Sequence, residues 1–167
     1  YETNVKTKKG SDAMVEYAVK LPGKGLDEKA VYLPIDAKFP QEDYLRLQSA
    51  YDAGDSVAVE VSLKALLQSV KKFAKDISSK YIDPPNTTDF GIMFLPVEGL
   101  FAEVVRQPDM IAFLQREYKI VVTGPTTLAA MLNSLQMGFK TLAIQKRSSE
   151  VWNVLASVKK EFNTFGG

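Results

Sequence analysis

The 167 residues contain no cysteine and no histidine. Without cysteine there is no disulfide, no thiolate metal site and no thiol nucleophile. Without histidine there is no Ser-His-Asp triad, no imidazole-ligated zinc and no histidine general base. Chemistry is left to carboxylates, lysines, hydroxyls, or a hard cation held by oxygen. Charge of one sign is missing too: 21 Lys+Arg against 20 Asp+Glu leave +1, so any nucleic-acid footprint has to be local. No apolar run approaches the roughly 18 residues of a membrane span, so no membrane contact is expected. The chain opens at Tyr1 with no signal-peptide pattern and closes Phe165-Gly166-Gly167, which reads as a piece of a longer protein. The lack of cysteine points to a cytoplasmic origin.

What is present is an ordinary globular composition, 46% hydrophobic and 25% charged, enough for one domain over residues 1–167 with a buried core. The first 38 residues read as strands: Tyr1 to Lys8, Met14 to Leu21, and Ala30 to Lys38, broken by Lys9-Gly10-Ser11-Asp12 and by Pro22-Gly23-Lys24-Gly25. Pro34 inside the third run counts against a central ladder position or for a bulge. Residues 40–80 read as helical. Pro40 suits a helix start, and Tyr44, Leu47 and Tyr51 follow at helical spacing. Asp55 or Ser56 can cap a longer helix whose Val59, Leu63, Leu66, Val70, Phe73 and Ile77 step by three and four. Tyr81 to Asp89 reads as a loop. Phe90–Leu95 and Ile120–Thr123 read as buried strands, and Glu98–Arg106 and Asp109–Tyr118 as helices. Gly124-Pro125-Thr126-Thr127 opens a further helix through Phe139, and Thr141–Phe165 reads as a last long one. This order predicts an α/β (α+β) domain, with one mixed sheet flanked by long helices.

Strands two and three read as a hairpin centred near Leu26, which sets Glu16 opposite Asp36. Lys38 shares the face of Asp36 by alternation. The odd positions Val15, Tyr17, Val19, Leu21, Val31, Leu33, Ile35 and Ala37 are uniformly apolar and are expected to form the core face. Glu16, Asp36 and Lys38 are then expected together on the other face, away from the core, unless a bulge at Pro34 shifts the register. Two neighbouring carboxylates repel and invite a divalent cation, and Mg²⁺ takes one or two protein carboxylates together with water and phosphate. Lys38 could orient a bound water or hold developing negative charge. A surface ion pair on a hairpin accounts for the same residues more simply.

An acidic residue on one strand followed by Asp-x-Lys on the next resembles the PD-(D/E)xK nuclease signature. The words around it, 15–23 (VEYAVKLPG), 33–40 (LPIDAKFP), 90–98 (FGIMFLPVE) and 124–128 (GPTTL), resemble the core of the RmuC family. The resemblance spans roughly residues 1–165. It implies a bacterial DNA recombination protein that limits rearrangement at inverted repeats, with a restriction-endonuclease-like core and Mg²⁺- or Mn²⁺-dependent nuclease chemistry. By position, Glu16 takes the place of the acid in the family's Pro-Asp pair, with Val15 in place of the proline, and Asp36 and Lys38 take the D-x-K places. Glu16 and Asp36 are the implied metal ligands and Glu16, Asp36 and Lys38 the implied catalytic set. In such nucleases a further acid stands on a helix ahead of the first strand, which here falls before Tyr1. Full-length members carry an N-terminal hydrophobic anchor, which puts them at the inner membrane, and a long coiled coil; neither is found in these residues.

DNA is the expected partner. Lys64, Lys71 and Lys75, at seven and four spacing along the long helix, could track a phosphate backbone, although a solvated helix face explains them as well. Lys140, Lys146, Arg147, Lys159 and Lys160 are more scattered. Glu98 after Pro96 serves a site or a helix start, and Thr126 and Thr127 cap a helix or bind phosphate. Asp89 precedes a strand and could reach the site. Trp152, Phe162 and Phe165 read as core or subunit contacts. Two other functions fit the pattern: a catalytically inactive DNA-binding scaffold of nuclease-like fold, and an oligomerisation module built on the amphipathic helices 55–80 and 141–165, giving a homo-oligomer.

Overall fold

The structure is a computed structural model that describes residues 1–22, 29–138 and 140. The element order is β1 (Glu2–Val5), β2 (Val15–Leu21), β3 (Val31–Ala37), α1 (Gln41–Asp52), α2 (Ser56–Tyr81), β4 (Gly91–Phe94), α3 (Glu98–Val105), α4 (Pro108–Tyr118) and β5 (Ile120–Thr123), with α5 over 125–138. The chain divides into two compact units, Tyr1–Thr126 and Thr127–Gly167. The first holds the sheet and α1–α4; of the second, the greater part of α5 is described. The expected helix 141–165, with Lys146, Arg147, Trp152, Lys159, Lys160, Phe162 and Phe165, lies outside the described residues, as does the turn 23–28 between β2 and β3.

The five strands follow one another in the order β1-β2-β3-β4-β5. The first three are antiparallel, and β3, β4 and β5 are parallel. A parallel neighbour demands a crossover, and α1 and α2 supply the one between β3 and β4. Asp55 starts α2 by accepting from the amides of Val57 and Ala58 at 3.2 and 3.1 Å. Ser69 of α2 donates to Asp43 of α1 at 2.6 Å and ties the two helices together. The α2 stripe then buries Leu66, Val70, Ala74 and Ile77 completely, against Met93, Leu95 and Ile120 of the sheet region. Each large side chain so buried contributes about 1.5–3 kcal/mol.

The β2–β3 pairs run from Tyr17↔Ile35 to Leu21↔Val31 without a break, symmetric about position 26. Pro34 causes no bulge there. The amides of Tyr32 and Lys38 point to the β4 side, to Asn86 and Phe94 oxygens, so the Pro34 nitrogen lies on that side too. The β3–β4 ladder begins only at Ile35↔Ile92, and the missing donor therefore costs no ladder bond.

The expected division into one core face and one open face is corrected. β3 buries four consecutive residues, Leu33 to Asp36, so both of its faces are covered. Asp36 pairs with Met93, which lies in the core cluster with α2, so the even face is the one beneath the helix. A hairpin taken in isolation has one open face, whereas β3 also takes the parallel neighbour β4, and the crossover between them sets α2 over the even face. Tyr17 departs in the other direction. It is 40% exposed, on the face where Val15 of the same strand is fully buried and its partner Ile35 is 5% exposed.

Candidate metal and nucleic-acid site

Glu16 is the second residue of β2, and the register extended by one step sets it opposite Asp36. Lys38 prolongs β3, its amide donating to the Phe94 carbonyl at 3.0 Å, and alternation returns its side chain to the face of Asp36. The Asp36 side chain is 8% exposed and that of Lys38 30%. Lys38 Nζ lies 3.1 Å from Asp36 Oδ2 and 5.5 Å from the centre of the Phe73 ring on α2. The approach is off the hydrogen-bonding direction, so Oδ2 is buried without a hydrogen-bond donor. The Lys38 ammonium offsets its charge, and the lone pairs of Oδ2 stay free of any hydrogen bond among the described residues.

Tyr81, the last residue of α2, completes the cluster. Burial raises its phenol above the ordinary tyrosine value; the Asp36 and Glu16 charges add to the rise and Lys38 opposes it. All three charges thus act at one phenol, across the helix-covered face. Tyr81 starts a loop when only its neighbours are considered, yet it continues the Phe73, Ile77 step by one more turn, and that spacing is the available signal.

The donor set is two carboxylates, one deeply buried and one exposed. Among the described residues no group of three or more Asp, Glu, His or Cys is placed to hold a metal. Two hard oxygen donors fit a hydrated Mg²⁺ that shares a substrate phosphate, and do not fit a closed protein cage.

The other candidates separate. Lys64 and Lys75 are exposed, but Lys71 is half-buried with its ammonium 4.1 Å above the Phe113 ring of α4. The middle member of the stripe is therefore drawn into helix packing. Glu98 is exposed at the first turn of α3, and its Oε1 accepts the Thr126 amide at 2.6 Å. Hydrogen bonds from the Thr126 side chain and amide hold its carboxyl below the usual value. Glu98 thereby caps α5 from another element, and the Thr126 amide is spent on it rather than on a phosphate. A Cβ on Gly124 would lie 2.9 Å from Glu98 Oε2 and from Phe101 Cγ, so that glycine allows the close approach. Asp89 is exposed just before β4, four residues from Met93, the partner of Asp36; that is about 13 Å along a strand. It does not join the cluster. No helix among the described residues is long and apolar enough to cross a membrane.

The RmuC family model matches residues 1–167. The chain belongs to the RmuC family. It is 52% identical over 167 residues to DNA recombination protein RmuC homologs of two Xylella fastidiosa strains, Temecula1 and 9a5c, covering all of this chain and 37% of each relative. A homolog from Pseudomonas aeruginosa is 27% identical over 173 residues, covering 99% of this chain and 36% of that protein. The chain thus spans a little over a third of the relatives it matches. No solved structure matches it.

Proposed function

We propose that this RmuC-family region is the core of a DNA recombination protein and hydrolyses phosphodiester bonds at Glu16, Asp36 and Lys38. The observation that carries the reading is the buried Asp36 carboxylate, with Oδ2 lacking a hydrogen-bond donor while Lys38 stands 3.1 Å away. Glu16 and Asp36 would hold a Mg²⁺ or Mn²⁺ ion. When bound, such an ion lowers the pKa of a coordinated water and offsets charge on a phosphate oxygen. Lys38 orients the attacking water or meets the negative charge that develops on the phosphoryl oxygens. Phe73 screens one side of the ammonium and keeps it turned towards Asp36. A restriction-endonuclease-like arrangement of the sheet accords with an acid and an Asp-x-Lys on adjacent antiparallel strands. Activity at inverted repeats belongs to the same proposal, as do DNA as partner and the wider protein's coiled coil and cytoplasmic or membrane-anchored location.

One observation favours a second reading, a DNA-binding scaffold without turnover: the lack of a third acid among the described residues. The test is cleavage of linear, hairpin and single-stranded DNA by the full-length protein with Mg²⁺, Mn²⁺ or EDTA. Lys38→Met is expected to lower the rate by about 10²–10⁴-fold with DNA binding kept. Asp36→Ala is expected to weaken metal affinity as well. Wild-type protein inert towards every DNA form and metal refutes the nuclease reading and leaves the scaffold.

A further inference from the structure

A second basic feature lies on the same sheet face, and the helix stripe does not account for it. After Val5 the chain leaves β1 and packs on the end of α2. Thr7 donates to the Tyr81 carbonyl at 2.6 Å, Lys8 Nζ to the Ser79 carbonyl at 3.0 Å, and the Lys9 amide to Asp83 Oδ2 at 3.2 Å. The β1–β2 connection is thus pinned at three successive residues. Beside it opens a cleft of about 580 Å³ whose lining includes Lys6, Lys8, Lys9, Lys29, Asp12 and Tyr32.

Four lysines and one aspartate give the lining +3, in a chain whose total is +1. Lys6 is paired with Asp12 at 3.1 Å. Lys8 is bonded only to a neutral carbonyl, and the Asp83 charge acts on it and on Lys9 without an ion pair to either. The ammonium groups of Lys9 and Lys29 make no hydrogen bond or ion pair among the described residues. Glu2 accepts from Tyr32 with Lys20 4.0 Å away, and Asp83 accepts from Asn86 and the Lys9 amide but keeps its charge, so counting it with the lining still leaves +2.

The placement supplies the direction. Tyr32 and Asp36 are both even residues of β3, so the cleft and the candidate reacting cluster share one face. Four residues of strand separate Tyr32, in the cleft lining, from Asp36, about 13 Å, and a DNA strand advances roughly 3.4 Å along the helix axis per nucleotide, so about four nucleotides span that distance. Tyr81 stands between: its carbonyl holds Thr7, while its phenol feels Glu16, Asp36 and Lys38.

We propose that the β1–β2 lysine cleft binds the phosphate backbone of a DNA strand about four nucleotides from the position held at Asp36. The proposal rests on reading Asp36 and Lys38 as a DNA-processing site, and deepens it by naming the surface that carries the strand. Lysine suits the role, since a sequence-independent backbone contact needs point charges rather than base-reading forks.

The test is fluorescence anisotropy with a labelled single-stranded and a labelled duplex oligonucleotide, in EDTA so that cleavage plays no part, over a series of salt concentrations. Lys9→Gln with Lys29→Gln is the test variant, and Lys64→Gln with Lys75→Gln the comparison. Neither pair removes a hydrogen bond or ion pair among the described residues, and circular dichroism checks the fold. The expected result is binding weakened about tenfold or more by the first pair, with the slope of log K against log salt reduced by about two. The helix pair should have a smaller effect. Wild-type binding with equal affinity and slope in the cleft variant overturns this proposal and leaves the Asp36 reading standing. No binding by the wild type to either DNA overturns both. Phosphatidylserine vesicles bound by the wild type and released by the cleft variant, with DNA binding unchanged, would assign the lysines to a membrane surface and overturn it as well.

Discussion

Replacing Asp36 by asparagine removes a charge and keeps the shape, so it separates a carboxylate retained for a ligand from one retained for stability. Two terms compete. Oδ2 is buried without a hydrogen-bond donor; the amide leaves a polar atom in that place but takes the charge off it, and the desolvation so recovered is worth about 1–3 kcal/mol. Against it stands the loss of the 3.1 Å pair with Lys38. Breaking a buried pair costs about 3–5 kcal/mol when the surviving charge stays buried. The Lys38 side chain is 30% exposed, so its ammonium can turn to water, and the loss falls nearer the 0–1 kcal/mol or so of a surface pair. Relief therefore wins. Asp36→Asn is expected to be neutral or to stabilise by up to about 2 kcal/mol, with Tm rising by about 2–4 °C for each. Differential scanning calorimetry of wild type, Asp36→Asn, Lys38→Met and the double variant measures this, and the cycle isolates the pair. A loss of more than about 2 kcal/mol in Asp36→Asn, with a coupling of similar size, would refute the argument and make the pair a structural ion pair.

Two further outcomes follow from the contact of Glu98 and Phe101 with Gly124 and Thr126. Gly124→Ala must push its new methyl against Phe101 Cγ and Cβ, at 2.9 and 3.0 Å, and against a Glu98 carboxylate already held by Thr126; a loss of about 1–3 kcal/mol in chemical denaturation is expected, and an unchanged midpoint would show that the contact yields freely. The Glu98 carboxyl is depressed in the folded state by Thr126, so its contribution is present above the ordinary carboxylate range and is lost as pH falls through the lowered folded value. The difference in Tm between wild type and Glu98→Gln should then shrink on acidification through and below about pH 4; a difference that stays constant rules out the carboxylate as the cap.

The secondary structure and the hairpin register were legible in the sequence because they rest on local periodicity and on counting. The α2 stripe, the Asp55 cap, β5 over Ile120–Thr123 and the pairing about position 26 are all of that kind. The words around Glu16 and Asp36 also carried the family. Tertiary structure alone decided which faces were covered. Alternation shows that Asp36 and Lys38 share a face, but the crossover that sets α2 over it is a property of the parallel β3–β4 pair, which lie more than fifty residues apart in the chain. That covering turned an expected open carboxylate into one 6% exposed. The same distance hid Tyr81, which reads locally as the start of a loop. It hid the partner of Glu98 as well, because a cap supplied from 28 residues away leaves no local pattern. Lys71 shows the limit from the other side: spacing sets it on a face with Lys64 and Lys75, and the docking of α4 half-buries it against Phe113. Backbone geometry repeats over a few residues and can be read from them; burial depends on which segments meet, and here they meet across most of the described chain.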